Sequence, residues 1–264
     1  MKQFVASIIA NRSIAAEWRE LSLEWDPDAG RPQPGQFFSF RASRASDPLL
    51  RRPLAFASVS ADSARVRAIY QVRGLATQLL SEEAPGSGLD ILGPLGRPFT
   101  LPEPATQPRS LLVAGGIGIG PILFLHSEIG PPRPSLVLGF RSVALIPELD
   151  LPEGSVICTD DGTRGFHGSV VRWLEELAPA EARLFGCGPA PMLAALAALS
   201  RRRGWHASLS AEQWMACGVG ACMGCALPRA DGAGYVRVCA DGPVFEYPSP
   251  DGLDVDWLRL GTVP

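Results

Sequence analysis

Over the first hundred residues, apolar positions come in short alternating runs: QFVASIIA (3–10), WRELSLEW (18–25), QFFSFRA (36–42), ARVRAIYQV (64–72) and LDILGPL (89–95). Alternation sends successive side chains to opposite faces, so each run predicts a half-buried strand. Clusters of Pro, Gly, Ser and Asp separate the runs, and short strands at this spacing predict an antiparallel barrel. One helix fits between them, near Ala76 to Glu83. From about residue 108 the rhythm changes. Continuous apolar runs (RSLLVAG, SLVLGF, SVICTD, ARLFGCG) alternate with the helix-like segments PILFLHSEI, SVVRWLEELA and APMLAALAALSRRRG. Buried strands alternating with helices predict a doubly wound α/β domain. After Trp205 the pattern dissolves into Cys, Gly and short strands, ending in a Pro/Asp-rich tail. The expected organisation is multidomain: an antiparallel β-barrel over 1–101, a doubly wound α/β domain over 102–206, and a small C-terminal domain over 207–264.

Composition narrows the class. A chain of 264 residues, 46% hydrophobic and 19% charged, can bury a core in two or three domains. Its net charge of −3 and lack of a basic tract give no reason to expect nucleic acid as a partner. Polar breaks in MKQFVASIIANRS speak against a signal peptide. The longest apolar stretch, 111–125, is too short and glycine-rich to span a bilayer. The expectation is a cytoplasmic protein with no membrane partner.

Six cysteines then change the picture. Cys158 and Cys187 stand alone in apolar runs, whereas Cys217, Cys222, Cys225 and Cys239 fall within 23 residues. ACGVGACMGC has the spacing Cys-x4-Cys-x2-Cys, and Cys239 follows after thirteen intervening residues. This matches the plant-type ferredoxin loop, in which four thiolates hold a [2Fe–2S] cluster. Gly218, Gly220 and Gly224 permit the turns that aim backbone N–H groups at sulfur. A zinc site is the alternative, although zinc usually takes paired Cys-x2-Cys knuckles.

The stretch LLVAGGIGIGP runs an apolar strand into Gly115, Gly116, Gly118 and Gly120, with a helix opening near Pro121. Such a turn lets backbone approach a pyrophosphate, though close packing asks for the same residues. FGCGPAPML offers a second strand–turn–helix unit, placing Cys187 and Gly188 at a strand's carboxyl end. For Cys187 the alternative is a small buried apolar residue. Asp160 and Asp161 follow a strand, where an acid could bond a ribose or simply shape a turn. No basic residue stands obviously where a 2′-phosphate would lie, which favours NAD, although Arg141 keeps NADP open.

RRPLAFAS, IYQVRGLATQLL, DILGPLGRPF, GGIGIGP, TDDGTRGFHG, FGCGP, EQWMACGVGACMGC and VCADGPVF follow one another along nearly the whole chain. In this order the sequence resembles the electron-transfer subunits of type B dihydroorotate dehydrogenases, a branch of the ferredoxin reductase superfamily. The resemblance implies an FAD-carrying barrel, a NAD-binding α/β domain and a C-terminal [2Fe–2S] domain. It also implies a partner, the FMN-containing catalytic subunit that oxidises dihydroorotate, in a heterotetramer. Electrons would pass from that FMN through the cluster and FAD to NAD⁺, in pyrimidine biosynthesis. Carried over by position, the flavin site comprises Arg52, Pro53, Leu54 and Ala55, then Ile69, Tyr70 and Gln71, then Ala76 and Thr77. Arg52 would pair with the pyrophosphate, and Thr77 would add a hydroxyl and backbone donors. The family usually has Ser where this chain has Ala55 and Gly where it has Ala76, so only a backbone N–H at 55 could serve the flavin. No acid–base pair is required, and His126, His167 and His206 receive no role. Two other readings stay open. One is a NAD(P)H-linked subunit of a hydrogenase, sulfide reductase or ferredoxin-linked complex. The other is a redox-sensing subunit without flavin turnover.

Overall fold

The computed structural model describes residues 1–43, 47–101, 109–131, 133–176, 181–250, 252 and 254–260. Six antiparallel strands close a barrel: β1 (Lys2–Ala15), β2 (Trp18–Glu24), β3 (Phe37–Phe40), β4 (Arg52–Val59), β5 (Arg65–Gln71) and β6 (Gly88–Leu95). Their order is β1-β2-β5-β4-β3-β6. Strand geometry sends successive side chains to opposite faces, and along β6 every second residue (Leu89, Ile91, Gly93, Leu95) is buried. Trp25, Phe38, Phe40 and Phe56 fill the interior, with Trp25 edge-on to Phe4 at 5.1 Å and to Phe56 at 5.2 Å. Helix α1 (Leu75–Glu82) follows β5. The sequence pattern missed β4 as a strand, because paired arginines and Pro53 interrupt alternation at its start.

The second layer contains β7 (Arg109–Gly115), α2 (Ile119–Glu128), β8 (Ser135–Phe140), β9 (Val156–Thr159), β10 (Phe166–His167), α3 (Val170–Glu176), β11 (Ala182–Cys187), α4 (Ala190–Arg203) and β12 (His206–Ser210). Three further strands, β13 (Ala226–Pro228), β14 (Tyr235–Arg237) and β15 (Val244–Tyr247), complete the chain. The large sheet runs β10-β9-β8-β7-β11-β12-β15, parallel except for β15, which lies antiparallel on β12. From β7 the chain moves outward one way through β8 and β9, then returns to β11 on the other side of β7. The strand order therefore reverses between β7 and β11, and in such sheets ligands bind at the carboxyl ends of strands at this point. Helix α4 stops where Gly204 turns left-handed (φ 66°), with Arg201, Arg202 and Arg203 in its last turn.

The division between the last two segments differs from the expected one. Strand β12 crosses position 206/207, and β15, from the cysteine-bearing segment, returns to the large sheet. The cysteine lobe is thus an insertion between two neighbouring strands, built on the β13–β14 hairpin. The expected boundary at 101/102 runs into residues 102–108, and the expected end runs through 261–264. Both stretches lie outside the described residues.

Candidate functional site

Two turns meet at the reversal point. Cys187 pairs with Ala114 in the β7–β11 ladder, which brings the Gly115–Gly118 turn beside Cys187 and Gly188. A Cβ at Gly118 would overlap the Cys187 carbonyl, and one at Gly188 would stand 3.0 Å from the Gly115 Cα. Only backbone fits there, so Gly115, Gly116, Gly118, Cys187 and Gly188 form one surface at the start of α2. Burial pushes the Cys187 thiol up to about 12, Glu212 adds to the rise and the Ser210 hydroxyl eases it. Cys187 is a neutral thiol there. Cys158, also raised by burial to about 11, lies inside the core.

The two acids after β9 separate cleanly. The Asp161 carboxylate accepts from the backbone N–H of Thr163 at 3.0 Å and from its hydroxyl at 2.6 Å, which is turn chemistry. Asp160 is exposed, and its carboxylate accepts no hydrogen bond among the described residues. It stays open to a ligand at the carboxyl end of β9, two strands from the glycine turn.

The barrel faces this turn. Ala57 of β4 and Ile69 of β5 share an apolar cluster with Ile119 and Ile122 of α2. Arg52, Pro53, Leu54 and Ala55 open β4, and Ala55 lies opposite Phe37 of β3. The two arginines have different tasks. Arg51 Nη2 donates to both carboxylate oxygens of Asp90 at 2.9 Å, and its Nη1 donates to the Asp90 carbonyl at 3.1 Å. Arg52 donates only to the backbone carbonyls of Leu50 and Arg51 among the described residues, which leaves its charge uncompensated. At the end of β5, Ile69 and Tyr70 are buried and Gln71 is half-buried. The Tyr70 hydroxyl donates to Asn11 Oδ1 at 2.8 Å, so Tyr70 offers a ligand its backbone and not its ring. Ala76 is buried in α1. The Thr77 hydroxyl accepts from the N–H groups of Arg73 and Gly74 and donates to the Gly74 carbonyl. It caps its own helix; the resemblance also gives it a role toward phosphate.

Glu212, just beyond β12, was not singled out from the sequence. Water reaches it, yet protein crowds it closely enough that burial raises its carboxyl pKa, with Arg73 pulling the other way. Arg73 belongs to the β5–α1 connection, so this pair spans the seam between barrel and sheet. It opens the EQWMACGVGACMGC segment, where the cysteines carry the signal and the acid alone reads as an ordinary one after a strand.

The four clustered cysteines come together in the lobe. None is in a disulfide; Cys225 and Cys239 are buried, Cys217 is half-buried and Cys222 is exposed. Cys225 and Cys239 stand 3.2 Å apart, sulfur to sulfur. Each sulfur meets a backbone N–H: Val219 on Cys217 at 3.5 Å, Gly224 on Cys222 at 3.4 Å, Cys239 on Cys225 at 3.4 Å and Gly220 on Cys239 at 3.1 Å. This is the environment that anionic, metal-bound sulfur requires, so the residues fit a [2Fe–2S] cluster. Burial opposes the Cys217 thiolate, but the N–H groups of Val219, Cys222 and Ala221 and the Cys222 thiol outweigh it, lowering the pKa to about 6. Cys239 is pushed up to about 12 by burial and by Cys225 beside it. Crowded thiolates repel one another, and bound iron would remove that cost. Among the described residues no three His, Cys, Asp or Glu groups converge on one ion position. Two irons ask for two thiolates each, where one zinc asks for four on a single point.

A closed antiparallel barrel, a doubly wound sheet and an inserted four-cysteine lobe define a ferredoxin-reductase-type protein with an appended iron–sulfur region. Residues 212–249 match the iron–sulfur cluster binding domain of dihydroorotate dehydrogenase B. The NAD⁺-linked dihydroorotate dehydrogenase B electron transfer subunit of Geobacillus thermodenitrificans strain NG80-2 is 38% identical over 246 residues, covering 90% of this chain and 95% of that one. Its counterpart from Caldanaerobacter subterraneus subsp. tengcongensis is 37% identical over 243 residues, 91% and 95% of the two chains. The chain belongs to the family of dihydroorotate dehydrogenase B electron transfer subunits. Among solved structures, an NADH-dependent reduced ferredoxin–NADP oxidoreductase studied for flavin-based electron bifurcation superimposes with a TM-score of 0.79 at 24% identity, over 97% of this chain and 91% of that one. The cytochrome b5 reductase domain of Ulva prolifera nitrate reductase shares the fold at a TM-score of 0.57 and 17% identity, over 73% and 89%. No described helix is long and apolar enough to cross a membrane.

Proposed function

We propose that this chain transfers electrons between NAD⁺ and the FMN of a dihydroorotate-oxidising catalytic subunit, using FAD in the barrel and a [2Fe–2S] cluster in the lobe. One observation carries the reading. Phe37 lies opposite Ala55 in the barrel ladder, and it packs in the same apolar cluster as Cys225 and Cys239. The strand expected at the flavin and the cage expected around the cluster therefore border one continuous apolar core.

Bound there, a flavin exchanges a hydride with nicotinamide and single electrons with a cluster, and so joins two-electron to one-electron chemistry. The chain's own residues hold and orient. Arg52 supplies an uncompensated guanidinium for pyrophosphate, with Pro53, Leu54, Ala55, Ile69, Tyr70, Gln71, Ala76 and Thr77 lining the flavin through backbone and small side chains. Gly115, Gly116, Gly118, Cys187 and Gly188 admit the dinucleotide, and Asp160 accepts from its ribose. Cys217, Cys222, Cys225 and Cys239 hold the irons. The segment that carries exposed Cys222 also exposes Trp214, 74%, Met223, 49%, and Val219, 41%. Exposed apolar side chains on this segment favour docking of the catalytic subunit here; the assembly would be a heterotetramer in the cytoplasm.

The test joins the chain to an FMN-containing dihydroorotate-oxidising subunit. The complex should reduce NAD⁺ when given dihydroorotate, and a Cys225→Ser complex that still assembles and holds FAD should not. Undiminished NAD⁺ reduction by that cluster-free complex would contradict the proposal.

A further inference from the structure

The half-buried Arg237, at the end of β14, takes no part in holding a ligand. Its Nε and Nη2 meet the two carboxylate oxygens of Asp241 at 3.0 and 3.1 Å, and its backbone N–H donates to Asp241 at 2.8 Å. Its remaining prong, Nη1, donates to the Gly220 carbonyl at 2.8 Å. This third contact crosses from the strand leading to Cys239 into the loop that bears Cys217 and Cys222.

That contact has a geometric consequence. A peptide is planar, so fixing the Gly220 carbonyl fixes the N–H at the other end of the same unit, on Ala221. The Ala221 N–H acts on Cys217, and the N–H of Gly220 itself donates to Cys239 Sγ at 3.1 Å. Gly220 has φ +82°, and a Cβ there would come within 2.8 Å of Ala240 Cβ and 3.3 Å of Arg237 Nη1. The loop is therefore seated directly on the guanidinium. The same guanidinium lies close enough to Cys239 and Cys225 to interact with their charge. Asp241 balances it, with Arg97 of the barrel end also facing that carboxylate.

We propose that Arg237 is a positioning residue that sets the reduction potential of the cluster, by aiming the Gly220 and Ala221 N–H groups at sulfur and by presenting a positive charge that Asp241 partly offsets. Reduction adds an electron to the cluster, so N–H donors and nearby positive charge favour the reduced form. The inference rests on the [2Fe–2S] reading, and its test separates the two.

The experiment uses the full-length, FAD-loaded chain. Iron and sulfide are assayed first, and the cluster's midpoint potential is then read from an EPR-monitored redox titration. If the parent protein gives no reduced-cluster signal, the cluster reading itself fails. With the cluster present, Arg237→Gln should make reduction about tenfold less favourable, roughly 59 mV more negative for a one-electron couple. Asp241→Asn should shift the potential the opposite way, because it leaves the guanidinium unbalanced. Arg237→Lys keeps the charge without the fork and should fall between the parent and Arg237→Gln. A merely structural clamp would give Arg237→Gln and Asp241→Asn shifts of the same sign, or none, and either result overturns the proposal. If Arg237→Gln loses its cluster, Asp241→Asn decides: an unchanged or lower potential in that variant overturns it.

Discussion

The cysteine lobe and the seam between barrel and sheet are both built to hold a cofactor, but they are assembled in opposite ways. The lobe draws its four sulfurs from 23 consecutive residues, and its shape comes from local turns and N–H to sulfur contacts. The site proposed at the seam takes Arg52, Ile69, Ala76, Gly116 and Cys187 from five separate elements, so it depends on the closed barrel and the strand order. A site made of local geometry is vulnerable at each ligand. A site made of many backbone contacts spreads its binding energy, so single changes weaken it in steps.

The largest expected effect lies in the lobe. Cys217→Ser, Cys222→Ser, Cys225→Ser and Cys239→Ser should each drop iron and acid-labile sulfide from about two per chain to near zero. Cys158→Ser should leave both unchanged, and metal analysis of anaerobically purified protein reads all five variants.

At the seam, the two arginines offer the sharpest contrast. Arg52→Ala should weaken FAD binding by about 1.5–3 kcal/mol, the worth of a charge-assisted hydrogen bond, or roughly 10- to 150-fold in Kd. Arg51→Ala should lower thermal stability instead, because it strands Asp90 of β6, with a smaller change in FAD affinity. Flavin fluorescence titration and a melting curve on both variants separate these roles. Equal losses of affinity would mean that the register assigned to the motif is wrong.

Gly118→Ala should come next. The added methyl meets the Cys187 carbonyl and must part the two turns, so NADH affinity should fall several-fold while iron content and FAD occupancy hold. Stopped-flow reduction of the bound flavin against NADH concentration reads it directly. Smaller still is the acid pair. Asp160→Ala should raise the apparent Kd for NADH a few-fold, and Asp161→Ala should act mainly through the turn that it caps.

How much was legible follows the same divide. The cysteine spacing announced the lobe because its ligands are neighbours in sequence, and the barrel announced itself through short apolar runs set off by Pro, Gly, Ser and Asp at β1, β2, β3, β5 and β6. Strand β4 was hidden by Arg51, Arg52 and Pro53. β10 is two residues long, and the return of β15 to β12 leaves no local trace, since strand pairing across an inserted lobe has no sequence period. Thr77 shows the limit at the level of one atom. The resemblance gives it a role toward phosphate, and the fold adds one that no motif announces: its hydroxyl bonds the N–H groups before its helix. Arg237 and Asp241 were passed over for a similar reason: an Arg and an Asp four apart look like any surface pair until the fold sets Gly220 against them.

The account's central claim is that seam and lobe form one electron path within this chain. The most direct measurement is an anaerobic NADH titration of the FAD-loaded, cluster-replete chain, following flavin absorbance and the EPR signal of the reduced cluster together. NADH should bleach the flavin and bring up the cluster signal, whereas a folded, FAD-loaded Cys225→Ser protein should show the bleaching alone. A cluster that stayed oxidised while the flavin was fully reduced, yet accepted electrons from dithionite at a potential within reach of NADH, would contradict it.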